Sequence, residues 1–496
     1  MGVVALAACG TRQSYSALLA AQRGGAAPAG AVTGAQQGLA AAPVAGGSTG
    51  PAAPTSSSTA ASGAPVAVPP LGGAATTAIA GTGSSTGATT ATAAPAAAAT
   101  SAAGGSNGKG ATRTAAASSA APVPGQPCTA SLAPINIGSV GTQSGLIGSI
   151  IGSGAHAVQA WVASVNATGG IACHPVKYIV ADDGGDPSRH QALVQQLVEQ
   201  DHVIAFVQMD AVLTGQSSVS YLSAHKIPVI GAEGGSSWFY TSPFYFPESA
   251  QGTPTDESVI HGAAKVAKQN GLTKLGILSC IEAAICAEVG TVGGPTAQAD
   301  GVTVVYKTQA SLTSPDFTSN CQSAKSAGVQ VMAIAMDGNS VQRILQSCNN
   351  VGFHPLYVAQ SLGLTPQLPS DKQSDGVYGV VVTYPYMLTN NAANNTFVAT
   401  MKQYAPGLPI DSGAAQGWVS AQIFQLAAQG MPATPTSEAV LQGLGKIKND
   451  TFGGLTNAIT FTQGQNAPHS YCWWLIQIKG GGYTSPDGGQ GSCTTF

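Results

Sequence analysis

The chain has 496 residues, of which 18 are Lys or Arg and 21 are Asp or Glu, so charged residues make up only 8% of it. Soluble globular proteins usually contain about 25% charged residues, which argues against one uniform globular domain. Four bases are the only charges in residues 10–130, and the rest of the chain keeps 14 basic and 21 acidic residues. That acidic excess argues against nucleic acid as a partner.

The first nine residues form an apolar run that ends in Leu6, Ala7, Ala8 and Cys9. This run resembles the lipobox of bacterial lipoproteins, in which the cysteine becomes the first residue and carries lipid. The resemblance implies that residues 1–9 are the remnant of a signal segment and that Cys9 anchors the chain to the outer face of the cytoplasmic membrane. An ordinary cysteine after a chance Ala/Leu-rich start is the alternative.

Residues 10–130 consist almost wholly of Ala, Gly, Ser, Thr and Pro. Such a composition cannot bury enough apolar surface to offset the chain entropy lost on folding, so we expect a long disordered tether. The 366 residues that follow exceed the ~250 to 300 residues at which single cores tend to split. We therefore expect two lobes behind the tether, and no stretch of 18 apolar residues predicts a membrane span.

Eight cysteines remain when Cys9 is set aside. Because the count is even and we expect export, they predict four disulfides. A zinc site has little support, since there is no Cys-x2-Cys motif and His469 with Cys472 lacks further ligands at usable spacing. We expect no metal and no cofactor. The order of the cysteines allows four local pairs, Cys128 with Cys173, Cys280 with Cys286, Cys321 with Cys348, and Cys472 with Cys493.

From Pro134 onward, short runs rich in β-branched residues alternate with amphipathic stretches of 10 to 16 residues. This alternation is typical of βαβ units and predicts an α/β fold with mostly parallel sheets. It restarts near residue 272, after an irregular stretch over residues 231–255, which marks a lobe boundary. The predicted strands are residues 135–140, 176–181, 203–208, 228–230, 274–279, 302–307, 329–335, 356–359, 376–382 and 471–478. The predicted helices include residues 155–166, 191–199, 257–269, 317–327, 341–350 and 413–428.

Four motifs follow one another at family-like spacing: VNATGGI at 165–171, DDGGDP at 182–187, LVEQDHVIA at 197–205 and IPVIG at 227–231. In this the chain resembles the leucine/isoleucine/valine-binding-protein family over about residues 134–480. That family comprises type I periplasmic solute-binding lipoproteins of ABC transporters. The resemblance implies two Rossmann-like lobes with parallel sheets, joined at a hinge by three crossovers. It places the ligand at the carboxyl ends of the strands, where open parallel sheets bind ligands in general.

The expected N-lobe spans residues 131–249, with about 387–456 returning to it, and the expected C-lobe spans residues 250–386, with about 457–496 returning to it. The resemblance implies a monomer that binds a small molecule in the cleft and meets ABC permease subunits. An importer component is our main reading. A ligand-sensing domain without transport shares the same fold and is the alternative.

The resemblance also implies ligand contacts in the loops that follow the strands. The Gly/Ser-rich loop 141–154 lacks the Lys-Ser/Thr ending of a P-loop and the spacing of a dinucleotide site, so we expect it to be a wall of the cleft rather than a nucleotide site. Asp337 could instead be a helix N-cap, and Trp418 could instead pack in the core. The expected ligand-binding residues are Gln143, Ser144, Ile150, Asp210, Ala211, Thr214, Glu233, Gly234, Gly235, Ile285, Asp337, Asn339, Ser361 and Trp418.

The sequence contains no motif that predicts a catalytic site. Asp182, Asp183 and Asp186 could form an acid/base site, but Asp186 before Pro187 is more simply an N-cap with proline at the first helical position, and the other two end a strand. No Ser-His-Asp or Cys-His set lies on one strand-turn-helix unit. We expect no catalytic residue and no enzyme.

The ligand expectation comes from departures from the family pattern. Ser361 stands where amino-acid binders carry the acid that holds the ligand's ammonium, and Ile150, Ile285 and Asp337 stand where those binders have tyrosine. Glu233 lies in the loop that normally receives the ligand's carboxylate, and would repel one. We therefore expect weak binding of leucine, isoleucine and valine, and a preference for a neutral or largely apolar metabolite such as an amide, an aromatic or an alicyclic compound.

Overall fold

The computed structural model of the chain describes Cys128 and residues 131–493. The predicted anchor at Cys9 and the predicted tether, apart from Cys128, lie outside the described residues; Cys128 is joined to Cys173. Within the described part, two α/β lobes form around two separate sheets.

The first sheet has five parallel strands in the order β2-β1-β3-β4-β5. Every residue of β3 and β4 is buried, as expected for a parallel sheet covered on both faces. The strands are β1 Ile135–Gly141, β2 Val176–Asp182, β3 Ala205–Met209, β4 Val229–Ala232 and β5 Tyr245–Phe246. The helices between them are α1 Gly145–Ile151, α2 Ser153–Ala167, α3 Pro187–Glu199 and α4 Val219–Ala224.

The second sheet runs in the order β12-β11-β10-β9-β8-β6-β7, with β13 paired to β11. The strands from β6 to β10 are parallel to one another. Strand β11 pairs with β10 in the antiparallel direction. The strands are β6 Lys274–Ser279, β7 Thr303–Gln309, β8 Val331–Ala335, β9 Leu356–Ala359, β10 Tyr378–Val381, β11 Cys472–Lys479, β12 Gly482–Thr484 and β13 Gly491–Cys493. The helices are α5 Thr253–Gln269, α6 Ala284–Ala299, α7 Thr318–Ser326 and α8 Gly338–Asn350.

Three later helices return to the first sheet: α9 Ala392–Tyr404, α10 Ser412–Ala427 and α11 Ser437–Leu444. Helix α10 packs against α2, where Trp161 and Phe424 meet edge to face with ring centroids 6.1 Å apart. The two helices approach so closely that a Cβ on Gly417 would lie 2.1 Å from the carbonyl oxygen of Gly154. The chain then enters the second sheet again at β11, so it crosses between the sheets three times.

Local signals in the sequence account for several element boundaries. The Asp186 carboxylate accepts hydrogen bonds from the backbone N–H groups of Ser188 and Arg189, with Pro187 in the first turn, so the N-cap interpretation is confirmed. The loop prediction for residues 141–154 is wrong, because residues 145–151 form α1. A Cβ on Gly148 would lie 2.3 Å from the carbonyl carbon of Gln143, so glycine lets this short helix fold back on the strand end.

All four predicted disulfides are present, joining Cys128 to Cys173, Cys280 to Cys286, Cys321 to Cys348, and Cys472 to Cys493. Across residues 131–493, no single helix is long and apolar enough to cross a bilayer. Helices α1 and α2 pass the length and composition test only as a pair, and they are bent by 50° where they meet.

Candidate functional site

A cavity of about 90 Å³ lies where the carboxyl ends of strands from both sheets meet. An engineered apolar cavity of about 150 Å³ holds benzene, so this volume is of the order of one small ring. Its first wall comes from α1 and the loops after β3 and β4, and its second wall from the segments after β6, β8 and β9. In each sheet the strand order reverses beside the central strand, β1 or β6, which is where open α/β sheets bind ligands.

The apolar part of the cavity lining comes from both walls. Helix α1 contributes a stripe of three isoleucines, and the second wall contributes aliphatic side chains and the Cys280–Cys286 disulfide. The apolar lining residues are Ile147, Ile150, Ile151, Val212, Ile285, Leu312, Met336, Leu362 and Val382. Such a surface favours a ligand with an apolar body.

Glu233 comes directly after β4 and is 6% exposed. Its Oε1 accepts a hydrogen bond of 2.9 Å from the backbone N–H of Gly235, while its Oε2 has no partner among the described residues. Burial raises the pKa of Glu233 to about 7, because the charged form loses its hydration. Space at position 235 is tight, since a Cβ there would lie 2.7 Å from the Val212 side chain and 3.0 Å from Glu233 Oε2.

Asp256 lies in the first turn of α5 and is 3% exposed. Its Oδ2 also has no hydrogen-bond partner within the described part of the chain. Burial, with added repulsion from Glu288, Glu233 and Glu257, raises the pKa of Asp256 well above its usual value. A backbone hydrogen bond of 2.8 Å from Gly252 N–H to the Gly234 carbonyl ties the start of α5 to the loop that carries Glu233.

Two further acids reach the cavity from the second wall, and both are fully engaged. Glu282 Oε1 accepts hydrogen bonds from the Ser311 hydroxyl at 2.6 Å and the Leu312 N–H at 2.8 Å, and Oε2 accepts one from Ile281 N–H at 3.0 Å. Burial opposes ionisation of Glu282, but these bonds together lower its pKa. Asp337 is the N-cap of α8, accepting from the N–H groups of Asn339 and Ser340.

Several of the predicted ligand-binding residues line this cavity: Ile150, Glu233, Gly234, Gly235, Ile285, Asp337 and Ser361. Asn339 lines an adjoining cavity of about 120 Å³, which shares Ile150, Asp337 and Ser361 with the first. Ser144 is exposed at the start of α1, and the buried Gln143 amide nitrogen has no partner in residues 131–493; neither lines the main cavity. Their role as ligand contacts stays a prediction.

Asp210, Ala211 and Thr214 lie beneath the first wall rather than on it, and all three are buried. Asp210 accepts a hydrogen bond of 2.7 Å from the Gln208 side chain, and burial raises its pKa. The Thr214 hydroxyl donates to Asp183 Oδ2 at 2.6 Å, so its polar group is already used inside the lobe.

Helix α10 contributes a residue other than the one the sequence suggested. Trp418 packs in the hydrophobic core with its ring centroid 5.4 Å from that of Phe397, so the core alternative holds for this residue. Gln416, two positions earlier, lines the cavity instead. Residues two apart on a helix point about 200° away from each other, so only one of them can face the cleft.

Asp183, His190 and Ser218 form a chain of hydrogen bonds that sequence inspection missed. His190 Nδ1 lies 2.9 Å from Asp183 Oδ2, and His190 Nε2 lies 3.1 Å from Ser218 Oγ. All three side chains have no exposed surface, so no substrate can reach the hydroxyl, and the set fixes α3 to the turn after β3. In the described part of the chain, no group of three His, Cys, Asp or Glu residues is placed to hold a metal ion.

Two α/β lobes with parallel sheets and a shared cavity at their strand ends define the type I periplasmic binding protein fold. A family model described as a periplasmic binding protein matches residues 134–483, and the chain belongs to this family. The resemblance inferred from the four motifs is therefore confirmed.

Solved structures with the same fold share little sequence with the chain. A possible leucine/isoleucine/valine-binding protein from Rhodopirellula baltica SH 1 has 16% identity and a TM-score of 0.62, covering 73% of this chain and 98% of its own. A fatty acid ABC transporter substrate-binding protein from Thermomonospora curvata has 16% identity and a TM-score of 0.61, covering 73% and 92%. An ABC transporter solute-binding protein from Rhodopseudomonas palustris HaA2, in complex with p-hydroxybenzoic acid, has 19% identity and a TM-score of 0.59, covering 71% and 95%. No curated protein sequence matches the chain.

Proposed function

We propose that the chain is the extracytoplasmic solute-binding protein of an ABC importer, which captures a small molecule in the cleft and delivers it to a permease. The observation that carries the proposal is the apolar cavity lined by strand ends of both sheets. A ligand in that cavity contacts both walls, so binding shifts the population of conformers towards closure. The names of the structural neighbours, which include substrate-binding proteins for a fatty acid and for p-hydroxybenzoic acid, support this class of role.

We further propose that residues 131–249 with 387–456 move as one body, and residues 250–386 with 457–496 as the other. A hydrophobic core that joins Ile135 and Trp161 to Phe424 and Leu444 supports the first grouping. A second core that joins Ile344 and Val381 to Ile476 supports the other.

The ligand that this cleft favours has an apolar body and is not a branched-chain amino acid. Ser361 offers no negative charge, and its hydroxyl already donates to the Val380 carbonyl at 3.1 Å. Glu233 stands on the opposite wall without any positive residue beside it in the cavity lining. The α-carboxylate of an amino acid would therefore face like charge.

Small-angle scattering and calorimetry on the full chain test this function. We expect at least one compound from a panel of aromatic acids, amides, amines and branched-chain amino acids to bind with a micromolar Kd and to reduce the radius of gyration. If no compound of the panel binds or changes the radius of gyration, the transport role is contradicted. Micromolar binding of leucine, isoleucine or valine would contradict the ligand assignment alone.

The anchor at Cys9 and the tether behind it are also part of the proposal. Cys9→Ser should release the full chain from the membrane fraction into the medium, because the lipid can no longer be attached. Retention of the variant on membranes would refute the lipobox interpretation.

A further inference from the structure

The cavity holds two buried carboxyl groups whose hydrogen bonding is incomplete. Glu233 and Asp256 are each more than nine-tenths buried, and each has one oxygen without a partner in residues 131–493. Both residues line the same cavity. A buried acceptor left unpaired costs about 1 to 3 kcal/mol, and more when it is charged, so two such atoms at a ligand site point to a missing donor.

The two carboxyl groups come from different parts of the chain but lie close to each other. The hydrogen bond from Gly252 N–H to the Gly234 carbonyl, 2.8 Å, joins the loop of Glu233 to the turn that begins α5. The charge on Glu233 contributes to the raised pKa of Asp256, as expected for neighbouring like charges.

The remaining polar lining of the cavity offers no cation to balance this pair. Among the described residues that line it there is no Lys, Arg or His. The other two acids, Glu282 and Asp337, have their oxygens occupied by donors of the protein. Among the acids of the cavity lining, the oxygens without a donor are therefore those of Glu233 and Asp256.

We propose that the cavity binds a small compound with an apolar body and a cationic nitrogen, and that Glu233 and Asp256 hold the nitrogen. This inference rests on the proposed solute-binding function and names its ligand class. An ammonium group carries up to three N–H donors and no acceptor, which matches two carboxylates that lack donors. Charge-assisted bonds of this kind are about twice as strong as neutral ones.

Anionic and neutral analogues of the same ligand fit less well. A carboxylate would face like charge unless both acids were protonated. A neutral amide can donate to one carboxyl group, but it carries no charge to offset the cost of burying the second carboxylate. Discrimination should therefore follow the charge of the head group when the apolar body is kept constant.

Calorimetry with the full chain at pH 8 separates these cases, using benzylamine, benzamide and benzoate as matched probes and cyclohexylamine as a second amine. We expect an amine to bind at least tenfold more tightly than benzamide and benzoate. Equal or tighter binding of benzamide or benzoate, or failure of both amines to bind at millimolar concentration, overturns the proposal. If other compounds of the metabolite panel still bind, only this ligand class fails and the solute-binding function stands.

Variants test whether the two carboxyl groups make the contact. Glu233→Gln and Asp256→Asn should each weaken amine binding at least tenfold. Glu257→Gln is the matched control, because it removes the charge of the adjacent residue of α5 without lining the cavity, and it should change affinity less than twofold. Thermal unfolding of each variant verifies folding. An equal loss in Glu257→Gln would show that general charge, not contact, governs binding, and would overturn the assignment of the two residues.

Discussion

On the second wall of the cleft, Glu282 and Asp337 reach the cavity with their oxygens occupied by nearby N–H and O–H donors. On the first wall, Glu233 reaches the same cavity with one oxygen unpaired. The pKa values follow this difference, since that of Glu282 is lowered and that of Glu233 is raised to about 7. An acid whose oxygens are occupied by donors of the protein stabilises the fold, whereas one that is left unpaired costs stability and remains available to a ligand.

The largest expected effect is a loss of stability as the pH rises from 6.5 to 8. Burial raises the pKa of Glu233 to about 7 and of Glu248 to about 8, and raises those of Asp210 and Asp256 well above their usual value. The folded state therefore keeps protons that the unfolded state has released, so the stability present at low pH is lost as the pH passes through these values. We expect a fall of ~3 kcal/mol in urea unfolding, since one pKa unit corresponds to about 1.4 kcal/mol.

The pH window for this test avoids a histidine that acts in the opposite direction. Burial lowers the pKa of His156 to about 4, so stability linked to His156 rises with pH only up to its unfolded value near 6.5. A free energy of unfolding that is flat or rising between pH 6.5 and 8 would contradict the burial of the acids. The Glu233→Gln variant should show a shallower slope.

Glu282→Ala should lower the free energy of unfolding by ~2 kcal/mol. Three donors, the Ser311 hydroxyl and the N–H groups of Leu312 and Ile281, would lose a charged acceptor. Urea unfolding at pH 7 measures the change. Glu199→Ala, which removes an exposed acid bonded to Tyr221, is the control and should stay within about 0.5 kcal/mol of the parent. Equal effects of the two variants would show that the saturated acid contributes no more than a surface residue.

Glu233→Gln should raise the stability of the ligand-free protein by ~1 to 2 kcal/mol at pH 8. Glutamine removes the cost of ionising a buried group, although its amide still lacks a full set of partners. At pH 5 the gain should vanish, because the Glu233 carboxyl is protonated there. Destabilisation at pH 8 would mean that the carboxylate is satisfied in the folded protein.

Asp337→Ala should cost ~1 kcal/mol, whereas Asp337→Asn should cost only a few tenths, because asparagine is an equally good N-cap for α8. Thermal or urea unfolding of the pair measures the difference. Similar losses of stability in both variants would indicate that the charge of Asp337, and not its capping geometry, stabilises α8.

Local sequence signals located most of the fold. The predicted strands over 274–279 and 356–359 coincide with β6 and β9, and the others lie within a few residues of observed strands, because β-branched runs bounded by turns are local patterns. The short strands β5, β12 and β13 and the short helix α1 were missed. Their conformation depends on pairing with β4 or β11, or on packing against a strand end, which local sequence does not specify.

The site residues that were predicted correctly are mainly those in the segments that follow strand ends. Glu233, Ile285 and Asp337 follow β4, β6 and β8 closely, and topology brings such residues to one edge. Asp256 was missed because the predicted helix began at residue 257, four residues after the observed start of α5, although Pro254 followed closely by an acid is a signal of a first helical turn. Gln416 was missed in favour of Trp418, since composition does not tell which face of a mostly buried helix meets the cleft.

The sequence by itself determined the alternation of strands and helices, the N-caps at Asp186 and Asp337, and a cysteine order that allows four local disulfides. The alternation and the N-caps depend on neighbours close in the chain, whereas the disulfides follow from the order of the cysteines, which are 6 to 45 positions apart. Only the tertiary structure decided which acids are saturated and which are not, because donors to Glu282 come from residues about 30 positions away. Glu233 and Asp256 reach one cavity from separate segments, each with an unpaired oxygen, and no local pattern specifies that arrangement.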